Sequence, residues 1–185
     1  MEEIMKATGI VRRIDDLGRV VVPKEIRRVL RIREGDPLEI FTDHEGEIIL
    51  KKYSPIGELG DFAKQYAEVL AQTTGNIICI TDRDQVIAVA GGAKKDMLMK
   101  AISQQLEKLI DERDSVIATR EEKKFIPIIP GENEFQSQVI SPIISEGDAI
   151  GSVIITTKEN KTKFGEAEQK LTNSAAGFLG KHMES

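Results

Sequence analysis

Nine of the 28 residues from Lys6 to Arg33 are basic: Lys6, Arg12, Arg13, Arg19, Lys24, Arg27, Arg28, Arg31 and Arg33. Three acids, Asp15, Asp16 and Glu25, stand against them, so the segment carries a local excess of +6 in a chain of net charge −5. Glu34 to Tyr53 carry −4 and residues 54–185 carry −5, so the positive field belongs to one stretch and is hidden in a pI near 5.3. Arginine is a permanently charged, planar fork of donors. It matches phosphate oxygens and the O6/N7 edge of guanine in a bidentate way that lysine does not. Such a local excess bears on partners rather than on fold, and its chemistry is the binding of a polyanion.

Other chemistry is thin. Cys79 is the one cysteine, which excludes an internal disulfide, and its setting Ile77-Ile78-Cys79-Ile80 reads as a small residue in an apolar strand. His44 and His182 lie far apart and make no zinc spacing with Cys79. No glycine-rich dinucleotide fingerprint and no nucleophile–base pair appears, so no cofactor, no metal and no enzymatic activity is expected. No apolar run, Val20 to Val22 included, approaches the ~20 residues of a membrane helix. Glu2 and Glu3 precede any apolar run, the wrong order for a secretory signal. A cytoplasmic protein without a membrane partner is expected.

The basic residues need elements to hold them. Thr8–Asp15 and Arg19–Val22 are strand-like around the turn Asp16-Leu17-Gly18. Val22-Pro23 marks a boundary and opens a short helix, Lys24–Arg31. Leu38–Thr42 and Glu47–Lys51 form a hairpin around Asp43-His44-Glu45-Gly46. At roughly 100° per residue, Lys24, Arg27, Arg28 and Arg31 share an arc of about 100°, with Ile26, Val29 and Leu30 opposite. One helix face is therefore positive and the other is expected in a core. The 46 residues from Thr8 to Tyr53 are too few for an independent core without a disulfide or metal, so the unit is expected to be an obligate dimer.

Residues 54–75 read as a linking helix opened by Ser54-Pro55. Its stripe of Leu59, Phe62, Tyr66, Val69 and Thr73 fits either a coiled-coil seam or packing on the next domain. Residues 76–185 follow in α+β order. Strands are expected at Ile77–Thr81, Gln85–Ala90, Lys124–Ile129, Gln136–Ser145 and Asp148–Thr157. One helix is expected from Lys94 to Arg113, with Leu98, Ile102, Leu106, Leu109 and Ile110 on one stripe. The last runs from Gly165 to Met183 with a seam of Ala167, Leu171, Ala175, Phe178 and His182.

The stretch Met5-Lys6-Ala7-Thr8-Gly9-Ile10-Val11-Arg12-Arg13-Ile14-Asp15-Asp16-Leu17-Gly18-Arg19-Val20-Val21-Val22-Pro23-Lys24-Glu25-Ile26-Arg27-Arg28-Val29-Leu30, continued by Glu34-Gly35-Asp36-Pro37-Leu38-Glu39-Ile40-Phe41, closely resembles the AbrB-type DNA-binding domain. The whole chain resembles the sporulation regulators of endospore-forming bacteria that join this domain to a GAF domain. The resemblance implies a two-domain α+β protein. Residues 5–53 would form a swapped-hairpin β-barrel by interlocking with a second copy, 54–75 a helical linker, and 76–185 a GAF-like domain. It also implies a homotetramer and a place on the nucleoid of the forespore. Met1–Ile4 is an extension to the family pattern. The family's DNA-contacting arginines map onto Arg12, Arg19, Arg27 and Arg28, with Arg13 and Lys24 as auxiliaries.

The partner expected is double-stranded DNA. One helix is not a helix-turn-helix pair, and the only aromatics of the N-terminal segment, Phe41 and Tyr53, lie outside the basic stretch, where single-strand stacking would need them. Specificity would then lean on DNA shape. For the GAF domain two readings stay open, a sensor of an unidentified small ligand and a ligand-free clamp between dimers. Asn160-Lys161 with Phe164 and Glu168 partly echoes cyclic-nucleotide GAF domains but departs at Glu168-Gln169. An antidote of a toxin pair would share the N-terminal fold, yet would carry a disordered tail where this chain has a patterned domain.

Overall fold

A computed structural model describes residues 8–54, 56, 60–92, 94–132, 134–160 and 163–184, with backbone only at 94 and 95. Residues 1–7, Pro55, Leu59 and Lys161, on which several expectations fall, lie outside the described residues. The chain divides into two compact units, Met1–Tyr53 and Ser54–Ser185.

The first unit contains α1 (Lys24–Val29) and the antiparallel hairpin β1 (Leu38–Thr42) and β2 (Ile48–Lys52), with Leu38 opposite Lys52 and Thr42 opposite Ile48. Pro23 precedes the helix and its carbonyl accepts from the Arg27 N–H at 3.0 Å. Arg31 adopts a φ of +52°, and the Ile32 N–H reaches back to the Arg27 carbonyl at 2.8 Å, which ends the helix before Arg31. The base of the hairpin is tied to this end. Lys52 Nζ donates to the Arg31 carbonyl at 2.8 Å and pairs with Asp36 at 3.0 Å, and Asp36 also accepts from the Arg33 N–H at 2.8 Å.

Two expectations fail in this unit. Thr8–Asp15 and Arg19–Val22 are not strands of a ladder in the single chain. Beyond the turn bonds from Asp15 N to the Arg19 carbonyl and from Gly18 N to the Asp15 carbonyl, both 3.0 Å, no backbone hydrogen bond among the described residues pairs them. The apolar face of α1 is also uncovered, with Val29 80% and Leu30 56% exposed. The reason is common to both: a strand needs a neighbour for its backbone donors and an apolar face needs a surface to cover it, and one copy of this segment supplies neither.

The second unit is a five-stranded antiparallel sheet in the order β4-β3-β7-β6-β5, formed by β3 (Ile77–Asp82), β4 (Val86–Ala90), β5 (Val116–Thr119), β6 (Ser137–Ser145) and β7 (Asp148–Thr157). Helices α2 (Gly60–Thr74) and α5 (Glu166–His182) cover one face, and α3 (Lys94–Met97) and α4 (Gln104–Asp111) lie on the other. Ile78, Ile80, Val153 and Ile155 point into the first layer, and Cys79, Ile140 and Ile154 into the second, as period-two alternation requires. Gly180 is fixed by contact: a Cβ there would sit 2.0 Å from the Ile144 carbonyl oxygen, so glycine lets α5 lie close on β6.

Of the two roles open to the helix after residue 54, α2 packs on the sheet, burying Ala63, Ala67, Leu70 and Ala71. The stripe read from spacing points elsewhere. Phe62 and Tyr66 are half-buried and Val69 is 58% exposed, because the alanine face permits the closer approach to the strands. The seam of α5 is displaced in the same way, to Thr172, Ala175, Ala176, Leu179 and Gly180, leaving Phe178 50% exposed.

The expected helix 94–113 is two helices. Met99 takes a φ of +63°, the Ile102 N–H bonds to the Asp84 carbonyl at 2.9 Å, and the Ser103 hydroxyl caps α4 by accepting from the Leu106 N–H at 3.0 Å. Lys124–Ile129 is not a strand. Strand β5 occupies the edge of β6 instead, and the later segment lies over the sheet with Ile128 and Ile129 buried.

Candidate nucleic-acid interface

The basic side chains occupy three places in the first unit. Arg12 and Arg13 are exposed on the arm before the Asp15–Arg19 turn, Arg19 closes that turn, and Lys24, Arg27 and Arg28 lie on α1. Lys24 and Arg28 are exposed. Arg27 is half-buried, and its Nε is shielded from solvent without a hydrogen bond. Arg31, on the helical arc by spacing, leaves it through its left-handed backbone. Thus α1 gathers three of the six expected contact residues, while Arg12, Arg13 and Arg19 stand on the preceding arm and turn.

Asp15 was not singled out from the sequence as a site residue, yet it governs the turn. Its Oδ1 accepts from the Leu17 N–H at 3.0 Å and the Arg19 N–H at 2.8 Å, and its Oδ2 accepts from Arg19 Nε at 2.8 Å. The Arg19 N–H, and next the guanidinium, hold the Asp15 carboxyl below the usual carboxylate range. The readable signal was Asp-x-x-Gly with an arginine in the fifth place, and turn chemistry alone does not reveal that pairing.

The second unit offers little reactive chemistry. Cys79 is fully buried, its thiol pushed up to about 12 by burial and then by the negative charge of Glu132. His182 stacks on Phe62 with ring centroids 4.6 Å apart, in the layer on the other side of the sheet from Cys79, so the two are not brought together. His44 is exposed between β1 and β2. Glu168, part of the cyclic-nucleotide echo, caps α5 by accepting from the Gly165 N–H at 2.8 Å. Among the described residues no group of three His, Cys, Asp or Glu could hold a metal ion, and no helix is long and apolar enough to cross a membrane.

Residues 58–184 match the family described as "Stage V sporulation protein T C-terminal, transcription factor". A relative from Bacillus subtilis (strain 168), "Stage V sporulation protein T", is 56% identical over 181 residues, spanning 97% of this chain and 99% of the relative. The chain belongs to the stage V sporulation protein T family. It is a regulator of transcription of the AbrB type, joined to a GAF-like domain. The "Transition state regulatory protein AbrB" of the same organism is 43% identical over 102 residues, 55% of this chain and 85% of that protein. Residues 11–58 also match the family described as "Antidote-toxin recognition MazE, bacterial antitoxin". The fold of the second unit is that of a GAF domain. It aligns with the GAF domain of an Acinetobacter phosphoenolpyruvate-protein phosphotransferase at a TM-score of 0.57 and 14% identity, over 68% of this chain and 81% of that one.

Proposed function

We propose that two copies of residues 5–53 interlock into one swapped-hairpin body that holds Arg12, Arg13, Arg19, Lys24, Arg27 and Arg28 against duplex DNA. One observation carries this reading. Among the described residues sixteen large hydrophobic residues are exposed, and thirteen of them lie in the first unit, where Pro23 is the one buried residue described. A segment that leaves Val11, Val21, Val29 and Ile40 in water is half of a core, and the +6 segment is interleaved with it. Pairing completes the core and doubles the charge in one step. Phosphate contacts then give sequence-independent affinity through counterion release, and arginine forks add base or groove recognition.

The second unit ties dimers into a tetramer in this reading. Phe62, Tyr66, Phe178 and His182 form a stacked cluster, with Tyr66 and Phe178 centroids 5.4 Å apart, on the stripes of α2 and α5 that the sheet does not use. Ligand sensing is supported by a separate observation. A cavity of about 300 Å³ is lined by Met97, Lys100, Ile129, Glu132 and Phe135, and the Glu132 Oε2 there is buried without a hydrogen bond. A thermal-shift screen against amino acids and nucleotides separates sensor from clamp, since a ligand at 100 times its Kd adds ~2.7 kcal/mol. The protein acts in the cytoplasm, on forespore gene expression, and without a catalytic role. Replacing Arg27 and Arg28 with Ala tests the interface: binding to duplex DNA is lost and the oligomer stays folded. Loss of folding would make these arginines structural.

A further inference from the structure

Two loops of the first unit are built alike. In Asp15-Asp16-Leu17-Gly18-Arg19 and in Asp43-His44-Glu45-Gly46-Glu47 an aspartate comes first and a glycine fourth, with φ of +76° at Gly18 and +87° at Gly46. Asp15 Oδ1 accepts from the N–H of the third and fifth residues at 3.0 and 2.8 Å, and Asp43 Oδ1 does the same at 3.0 and 2.8 Å. The first residue's N–H also reaches the fifth residue's carbonyl in both, at 3.0 Å for Asp15 and 3.3 Å for Asp43. One side-chain oxygen therefore suffices to close either loop. The loops differ at the second oxygen. Asp15 Oδ2 takes the Arg19 Nε at 2.8 Å, whereas the fifth residue of the other loop is Glu47, which has nothing to donate. The Asp15–Arg19 contact is surplus to closing the turn, so its effect falls on Arg19.

That effect is selective within the guanidinium. The contact engages Nε, and the Arg19 side chain remains 68% exposed, so the Nη edge stays open to a partner. An arginine held by its flank surrenders less rotamer freedom when the Nη fork docks. We propose that Asp15 is a positioning residue that holds Arg19 with its Nη fork presented to a guanine edge, so that sequence discrimination depends on a carboxylate within a basic surface. This rests on the reading of Arg19 as a DNA contact. Electrostatics fits the role, because a carboxylate beside a polyanion opposes phosphate attraction on every sequence alike and is repaid only where the fork finds its base.

The test uses the full chain, with two probes: the duplex that the wild-type protein enriches from a randomised library, and poly(dA-dT), which has no guanine edge. Asp15→Asn keeps an oxygen for the two backbone N–H groups but loses the charged acceptor for Nε. It is expected to weaken binding to the enriched duplex roughly three- to tenfold while binding to poly(dA-dT) holds or tightens. Arg19→Lys keeps charge and an ion pair but has no fork, and is expected to show the same split. Equal or tighter binding of Asp15→Asn to both probes overturns the proposal, as does a parallel loss on both, which would make Asp15 structural. Wild-type selectivity in Arg19→Lys overturns it too. If Arg19→Ala retains full affinity for the enriched duplex, Arg19 is not a DNA contact and the underlying reading fails, a result distinct from an Asp15 failure.

Discussion

The two units of this chain answer the problem of a core in opposite ways. Ser54–Ser185 closes on itself: Ile78, Ile80, Leu106, Ile140, Ile154 and Leu179 are each at 0% exposure, between helices on both faces of one sheet. Met1–Tyr53 does not close, and exposes Val11 at 88%, Val21 at 71% and Ile40 at 65%. The contrast shows that apolar composition alone does not make a core; the number of residues available to cover each face decides whether one copy is enough. It also separates recognition from scaffolding, since the unit that leaves its apolar residues exposed carries the positive charge.

The comparison can be broken most severely at the arginines. Arg27→Ala with Arg28→Ala is expected to weaken duplex binding roughly 100-fold or more, with the melting temperature unchanged. Next in size, Ile154→Ala in the closed unit should cost about 2–5 kcal/mol in thermal or denaturant unfolding and leave DNA affinity intact below the melting transition. Ile40→Ala sharpens the contrast. A site that is open in solution loses no more than about 0.5 kcal/mol on such a change, whereas one covered by a second copy should lose roughly 1–3 kcal/mol and make unfolding depend on protein concentration.

Smaller effects follow from titration. Burial pushes the Asp36 carboxyl up, but the Arg33 N–H and the Lys52 ammonium outweigh it and hold the group below its ordinary value. A lowered carboxyl stabilises the fold above the unfolded-chain value near pH 4, and that contribution is lost as pH falls through the folded value. Acid unfolding of the first unit should therefore be less steep in Asp36→Asn, which urea titrations at several pH values would read. Cys79 gives the smallest effect at neutral pH. Its thiol, raised to about 12, should resist alkylation at pH 8 until denaturant is added. The sign there is opposite, because a raised thiol contributes stability that is lost only as pH climbs above the unfolded value of ~8.5.

Much of this was legible before the fold was known. The hairpin around Asp43–Gly46, the strand Asp148–Thr157 and the last helix are where turn residues and alternation place them. What failed did so for tertiary reasons. The strand Val116–Thr119 is short and lacks a turn signal, and the alternation of Lys124–Ile129 serves a covering loop rather than a ladder. The stripes Phe62-Tyr66-Val69 and Phe178-His182 are real, but alanine faces took the sheet, so the pattern marks an outer surface. The basic candidates were visible as charge. The Asp15 contact to Arg19 was not, because a side-chain pairing across a turn leaves no period in the sequence.

The central claim is tested most directly by measuring the affinity of the full chain for duplex DNA across a series of salt concentrations. With ~6–10 phosphates engaged by a paired arginine surface, log affinity should fall linearly with log salt at a slope of about −5 to −9. A flat line, or no binding even in dilute buffer, would contradict the account.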